Sequence, residues 1–136
     1  MKKYKFLLVA SNFYPEITLN LLKGAQKYLE INGHKFDIAF TNGSLEIPTK
    51  ISMKLSRNRY DAVVAIGCII KGKTDHYEFI SNAITKTLLE LSIQNKMPIS
   101  NSILSCTNMK QAKERSSKKL NRAKEAVEAA IAVLQD

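Results

Sequence analysis

The chain has 136 residues, of which 45% are hydrophobic and 24% are charged, a balance typical of a soluble globular protein. A chain of this length is expected to form a single domain over residues 1–136 that buries a hydrophobic core. No apolar run reaches the roughly 20 residues of a membrane span, and the run at residues 6–10 is shorter than a signal-peptide core of about 7–15 residues. We therefore expect a cytoplasmic protein that does not bind a membrane.

The formal net charge is +9, from 21 basic and 12 acidic residues. Such a charge suits nucleic acid or another polyanion, but the lysines are scattered and aromatic residues for base stacking make up only 7% of the chain. The densest basic cluster lies on a segment that we expect to be a mostly solvated helix: Lys110, Lys113, Arg115, Lys118, Lys119, Arg122 and Lys124. The composition therefore favours an anionic small substrate over nucleic acid.

The two cysteines, Cys68 and Cys106, stand far apart in the sequence and form no close-spaced pair. This spacing argues against metal ligation and against a disulfide framework, and it fits a reducing cytoplasm. One alternative has Cys68 as a nucleophile with His76 as its base, although a cysteine at a strand end is more often a small hydrophobic residue. We expect no metal site.

Hydrophobic periodicity predicts strands and helices that alternate along the chain. Apolar or alternating runs predict strands at residues 4–10, 35–40, 62–66 and 98–104. Helical spacing predicts helices from Pro15 to the Asn32-Gly33 stop, from about Leu45, around residue 76 onward, and at residues 108–118 and 121–135. Strands that alternate with helices predict a four-stranded parallel sheet covered on both faces, a three-layer αβα sandwich.

The segment 67–80 reads as a strand end, a glycine-containing turn and a helix start. Gly67 and Gly72 are the only glycines after residue 43, and we expect both in the turn. Backbone N–H groups at a helix N-terminus, with Lys71 and Lys73 beside them, predict a phosphate cradle. His76 is expected in the first helical turn, where an imidazole can move protons at about neutral pH. On residue type alone a surface or capping histidine is the commoner interpretation, and neither a P-loop nor a dinucleotide-binding glycine pattern occurs.

In open parallel sheets, ligands bind beyond the carboxyl ends of the strands. Phe13, which can stack on a ring, follows the first predicted strand, and Glu46, whose carboxylate we expect to be buried, follows the second. The turn with His76 follows the third strand, and residues 105–107 follow the fourth. Each residue also has a purely structural explanation, since Glu46, for example, suits a helix start. Their joint placement predicts a binding site at this edge of the sheet.

Four ordered motifs at consistent spacing resemble one family over nearly the whole chain, the 6,7-dimethyl-8-ribityllumazine synthases. The matching elements are Gly43-Ser44-Leu45-Glu46-Ile47-Pro48, Tyr60-Asp61-Ala62-Val63, Gly67-Cys68-Ile69-Ile70-Lys71-Gly72-Lys73-Thr74-Asp75-His76 and Asn108-Met109-Lys110-Gln111-Ala112-Lys113-Glu114-Arg115. The Asn121-Arg122 pair is similar to the Asn-Lys pair before the family's last helix. The resemblance implies a flavodoxin-like fold.

The resemblance implies condensation of 5-amino-6-(D-ribitylamino)uracil with 3,4-dihydroxy-2-butanone 4-phosphate, in riboflavin biosynthesis. The products are the lumazine, phosphate and water, and the family uses no metal or organic cofactor. By position in the motifs, His76 is the proton-transfer residue. Pyrimidine and ribityl binding is implied for Phe13, Ser44, Leu45, Glu46, Cys68, Ile69, Ile70 and Asn101. Phosphate binding is implied for Lys73, Thr74, Arg115 and Arg122.

The resemblance also implies a homo-oligomer, a pentamer in which each site lies between adjacent subunits. Arg115, Arg122 and the strand residue Asn101 would then reach into a neighbour's site. The connection at residues 116–120 is shorter than the family's and lacks its glycines. Because this connection shapes contacts between pentamers in shell-forming members, the sequence leaves open a pentamer or a 60-subunit shell of pentamers.

Three positions depart from the family pattern. Asn101 stands where a phenylalanine is usual, Ser102 where a glycine is common, and Leu45 where a phenylalanine is usual. Losing the ring at position 101 removes an apolar wall that helps to exclude water. The alternative interpretation is therefore a catalytically weakened member that binds lumazine or flavin without making it.

Overall fold

The computed structural model describes residues 2–72 and 76–135. Four parallel strands form a sheet in the order β2-β1-β3-β4. The strands are β1 (Lys5–Ser11), β2 (Lys35–Thr41), β3 (Ala62–Ile70) and β4 (Ile99–Cys106). The helices are α1 (Pro15–Ile31), α2 (Ile47–Leu55), α3 (Tyr77–Asn95), α4 (Met109–Arg115) and α5 (Arg122–Leu134), with a short 3-10 helix (Ser44–Glu46) before α2. This arrangement confirms the predicted αβα, flavodoxin-like fold.

The central strands are apolar on both faces because each face packs against helices. The predicted strand at residues 62–66 is fully buried. Its side chains alternate between the faces, so that Val64 lies in a core with α1 and α5, whereas Val63 lies in a core with α2 and α3. The sheet therefore separates two hydrophobic cores.

Helix boundaries largely follow the sequence signals. Pro15 is the first residue of α1, where its missing N–H is not needed, and Pro48 lies in the first turn of α2. After α1 the chain turns at Gly33, whose φ of +76° favours glycine. Among the helices in the described ranges, none combines the length and the apolar character required to span a bilayer.

The central stretch differs from expectation in one respect. The ladder between β3 and β4 continues to the Ile70–Cys106 pair, so Gly67 lies inside β3 and not in the turn. A Cβ on Gly67 would lie 2.9 Å from Ser44 Oγ, which is too close, so glycine permits the 3-10 helix to approach the strand. Gly72 does lie in the turn, with a φ of +104°.

Three other boundaries are corrected by the structure. β4 extends to Cys106 because its hydrogen-bond ladder does, so Ser105 and Cys106 are strand residues. α3 begins at Tyr77, so His76 is the residue that precedes the helix rather than part of its first turn. α4 ends at Arg115 and not at residue 118, because the Ser116 hydroxyl donates to the Ala112 carbonyl at 2.8 Å and helps to close the last turn.

Because His34 is buried, we expect the stability of the fold to decrease at acidic pH. Its Nδ1 accepts the Tyr4 backbone N–H at 3.0 Å, and its ring stacks on the Tyr4 ring. Burial, and then the positive charge of Lys3, lower the pKa of His34 below its usual value. The stability from neutral His34 is thus present above the unfolded pKa of about 6.5 and is lost as pH falls through the folded pKa.

We therefore expect the melting temperature to fall between about pH 7 and pH 5, and to fall less in His34→Gln. The glutamine oxygen can accept the same Tyr4 N–H but does not titrate, so the variant is a matched control. Thermal unfolding of both proteins at each pH tests this. Equal pH dependence in the two would show that His34 does not contribute.

Candidate active site

A cavity of about 350 Å³ opens at the carboxyl ends of β1 and β3. It brings together residues from the loop after β1, the 3-10 helix, the end of β3 and α3. They are Phe13, Tyr14, Gly43, Ser44, Leu45, Glu46, Cys68, Ile69, Ile70 and Ile80. We call this cavity the strand-end pocket. All of the residues to which the resemblance gave pyrimidine or ribityl binding line it, except Asn101.

The entrance of the strand-end pocket carries two exposed apolar side chains. Phe13 is 66% exposed and Leu45 is 56% exposed. The Phe13 and Tyr14 rings pack edge-to-face, with 5.0 Å between the ring centroids, and most of the Phe13 side chain stays exposed. Large exposed apolar side chains beside a cavity are typical of a binding site.

Two polar groups of the 3-10 helix also line this pocket. Ser44 is buried, and its hydroxyl has no hydrogen-bond partner among the described residues. A buried hydroxyl without a partner is costly, so a ligand hydroxyl that bonds to Ser44 would relieve that cost. Glu46 is exposed, so the expectation that its carboxylate is buried was wrong: the single turn between β2 and α2 holds it at the surface.

Cys68 lines the same pocket from the end of β3. The neighbouring Cys106 on β4, followed by burial, raises the pKa of Cys68. A thiol with a raised pKa stays protonated and is a poor nucleophile. The environment thus argues against Cys68 as a nucleophile with His76 as its base.

A second cavity, of about 420 Å³, follows the outer edge of β4, and we call it the edge groove. It is lined by Asn101, Ser102, Ile103, Leu104, Ser105, Arg115, Arg122, Glu125 and Ala126. Arg122 pairs with Glu125 at 3.0 Å, and Arg115 Nη1 donates to the Ser105 carbonyl at 3.1 Å. No described residue lines both cavities. Within one chain, the arginines therefore do not join the strand-end pocket.

Asn101 belongs to the edge groove and is held in place by two hydrogen bonds. Its Oδ1 accepts the Ile103 N–H at 2.9 Å, and its Nδ2 donates to Thr85 Oγ1 on α3 at 3.3 Å. The neighbouring Ser102 is buried, and its hydroxyl has no partner in the described part of the chain. Each cavity thus contains one buried hydroxyl that a ligand or another chain can satisfy.

His76 is exposed and immediately precedes α3, and its carbonyl accepts the Ile80 N–H at 2.9 Å. Ile80, one helical turn farther on, lines the strand-end pocket, so α3 connects His76 with that pocket. Lys73 and Thr74, which we also predicted to bind phosphate, lie outside the described residues, and so does the part of the predicted phosphate cradle that Lys73 would form.

Sequence reasoning assigned no site role to several residues that line the two cavities, among them Tyr14, Ile80, Ser102 and Glu125. Ile80 and Glu125 lie outside the four family motifs, so no motif indicated them. A larger cavity of about 610 Å³ lies between α1 and α5, ringed by lysines, and contains none of the predicted site residues. The described residues contain no group of three or more His, Cys, Asp or Glu placed to hold a metal ion.

Comparisons with known proteins agree with this geometry. A family model described as 6,7-dimethyl-8-ribityllumazine synthase matches residues 3–136. A 6,7-dimethyl-8-ribityllumazine synthase from Nitrobacter hamburgensis is 36% identical over 95% of this chain and 83% of its own length. Proteins of that name from Methylobacterium radiotolerans and Methylorubrum populi are each 35% identical over 96% of this chain and 80% of their own lengths. The chain belongs to the 6,7-dimethyl-8-ribityllumazine synthase family.

Proposed function

We propose that this protein condenses 5-amino-6-(D-ribitylamino)uracil with 3,4-dihydroxy-2-butanone 4-phosphate to form 6,7-dimethyl-8-ribityllumazine. One observation carries the proposal. Residues 43–46 and 68–70, from two of the family's motifs, line a single cavity together with Phe13, at the sheet edge where ligands of such folds bind. The alternative of a weakened, binding-only member rests on Asn101 alone, which lines the edge groove.

The strand-end pocket suits the ribitylaminouracil. The exposed Phe13 ring can stack on the pyrimidine, while the backbone of Cys68, Ile69 and Ile70 at the end of β3 can bind its polar edge. The Ser44 hydroxyl has no partner among the described residues, so it can bond to a ribityl hydroxyl. Glu46, exposed on the 3-10 helix, can accept further hydroxyl groups of the same chain.

The phosphate-bearing substrate needs cations, and the edge groove holds them. Arg115 and Arg122 line that groove, and a guanidinium suits bidentate binding of a phosphate. We propose that Lys73 and Thr74, which the family motif associates with phosphate binding, bind the same phosphate. Because the groove and the pocket share no described residue, we propose that the groove of one subunit completes the pocket of the next.

Exposed apolar side chains support such an assembly. α3 carries Phe79 and Ile93, each 76% exposed, although the opposite face of the helix already packs on the sheet. An amphipathic helix with a second apolar face is typical of a helix that is buried between subunits. We propose a pentamer of identical chains, which is also the unit from which a 60-subunit shell is built. We propose a cytoplasmic location, in keeping with two free cysteines in one chain.

The proposed chemistry moves protons and eliminates phosphate. The amine of the uracil attacks the ketone of the butanone phosphate, and water leaves to give an imine. Phosphate is then eliminated, and the resulting enol tautomerises to a ketone. The ribityl-bearing nitrogen attacks that carbonyl carbon, and its oxygen leaves as the second water when the ring closes. His76 is the proposed residue that transfers protons in these steps, and the arginines stabilise the departing phosphate. No electron transfer occurs, so the proposal includes no metal or organic cofactor.

A direct assay tests the reaction. We expect lumazine absorbance to appear when the purified protein receives both substrates, and phosphate to be released in equal amount. Omitting the butanone phosphate is the matched control, and no lumazine should form. A protein that binds lumazine tightly but does not accelerate its formation would instead support the binding-only alternative.

A further inference from the structure

Arg115 is held by a contact that the family resemblance does not include. Its Nη1 donates to the Ser105 carbonyl at 3.1 Å and approaches the Cys106 sulfur at 3.6 Å. Cys106 is completely buried at the end of β4, so its sulfur is held in place by the surrounding core. The guanidinium is thus oriented by a strand and a thiol of its own chain.

The sulfur beside Arg115 is one of a pair. Cys68 and Cys106 lie on neighbouring strands and in the same hydrophobic core. The neighbouring Cys68 thiol and the positive charge of Arg115 lower the pKa of Cys106, although burial opposes them. The neighbouring Cys106 raises the pKa of Cys68. Because Arg115 Nη1 contacts the Cys106 sulfur, Cys106 is the thiol whose anion the guanidinium stabilises.

We propose that Cys106 is a positioning residue for Arg115 and that its charge state sets how strongly Arg115 binds the substrate phosphate. The inference rests on the proposed phosphate-binding role of Arg115. When Cys106 is a neutral thiol, it orients the Arg115 guanidinium, whose positive charge remains available to the phosphate. When Cys106 is a thiolate, it pairs with Arg115 and competes with the phosphate for that charge.

Few other charges face this sulfur among the described residues. Cys68 faces it from β3 and Arg115 from α4. The helices α1 and α5 contribute apolar side chains to the same core. Arg122 and Glu125 of α5 line the groove next to Arg115, but they pair with each other at 3.0 Å. A charge change at Cys106 therefore acts mainly on Arg115.

The test is the pH dependence of KM for each substrate in the whole, assembled enzyme. In the wild type, KM for the butanone phosphate should rise about fivefold or more as pH increases through the Cys106 transition, below the ordinary thiol pKa of about 8.5. A phosphate monoester has its second pKa at about 6, so its own ionisation is nearly complete before this rise. KM for the ribitylaminouracil should not follow the same transition.

Cys106→Ser keeps a group that can accept from Arg115 but does not titrate in this range, so its KM for the butanone phosphate should not rise. Cys106→Ala removes the orienting contact and the titrating group, so its KM should be higher than that of the wild type below the transition and should not rise through it. Cys68→Ala removes the neighbouring thiol that lowers the pKa of Cys106 and should move the wild-type transition to higher pH. Melting curves and oligomer size establish that each variant is folded, and any one of the three provides a usable comparison.

The possible results distinguish the positioning role of Cys106 from the phosphate-binding role of Arg115, on which it rests. If Arg115→Gln raises KM for the butanone phosphate but the Cys106 variants retain the wild-type pH profile, the positioning role of Cys106 is wrong and the role of Arg115 stands. If Arg115→Gln leaves that KM unchanged, the proposed role of Arg115 is itself wrong. A flat profile in Cys106→Ser, together with a shifted profile in Cys68→Ala, supports the inference.

Discussion

Replacing His76 by alanine is expected to lower kcat for lumazine formation by about 10²- to 10⁴-fold. The imidazole stands directly before α3, one turn from Ile80 in the wall of the strand-end pocket. Loss of a proton-transfer group slows the chemical steps but leaves the Phe13, Ser44 and Glu46 contacts in place. We therefore expect the KM for the ribitylaminouracil to change much less than kcat.

The matched control for this prediction is His76→Asn. Position 76 precedes the first residue of α3, and asparagine is among the best residues at that position, so this variant retains the helix start. It cannot act as a general acid or base at about neutral pH, so it should be as slow as His76→Ala. Single-turnover and steady-state rates, with melting temperatures for all three proteins, test this. Wild-type kcat in either variant would remove His76 from the mechanism.

The strands and helices could be predicted because their local signals agree with the tertiary structure. The run at residues 62–66 is apolar throughout, as a strand covered on both faces must be, and it is fully buried. Pro15 and Gly33 mark the two ends of α1 for simple backbone reasons. The ends of strands that depend on pairing with another strand could not be predicted from the local sequence. β3 runs on through Gly67 because β4 pairs with it to Ile70.

The strand-end pocket could be predicted for a topological reason. In a parallel sheet the carboxyl ends of the strands share one edge, so residues distant in sequence, such as Phe13, Ser44 and Cys68, meet there. The exposure of Glu46 could not be predicted, because it depends on the single 3-10 turn that connects β2 to α2. Neither could the contact of Arg115 with Cys106, which no motif includes.

Replacing Arg115 by glutamine is expected to raise KM for the butanone phosphate by roughly ten- to a hundredfold. Glutamine keeps hydrogen-bonding capacity and part of the side-chain length but loses the positive charge that a phosphate needs. KM for the ribitylaminouracil should change little, because Arg115 lines the edge groove and not the strand-end pocket. Arg122→Gln is the comparison in the same groove, and its effect should be smaller because Arg122 is already paired with Glu125.

Mixed assemblies test where Arg115 acts. A chain with His76→Ala is defective on the pocket side, and a chain with Arg115→Gln is defective on the groove side. If each site combines the pocket of one subunit with the groove of its neighbour, roughly a quarter of the interfaces in a random equal mixture pair two intact halves. With the butanone phosphate well below the KM of the Arg115→Gln parent, co-expressed, doubly tagged assemblies should therefore recover about a quarter of wild-type activity, whereas each parent has little. Mixed assemblies that show only the average of the two parents would instead mean that each chain acts on its own pocket.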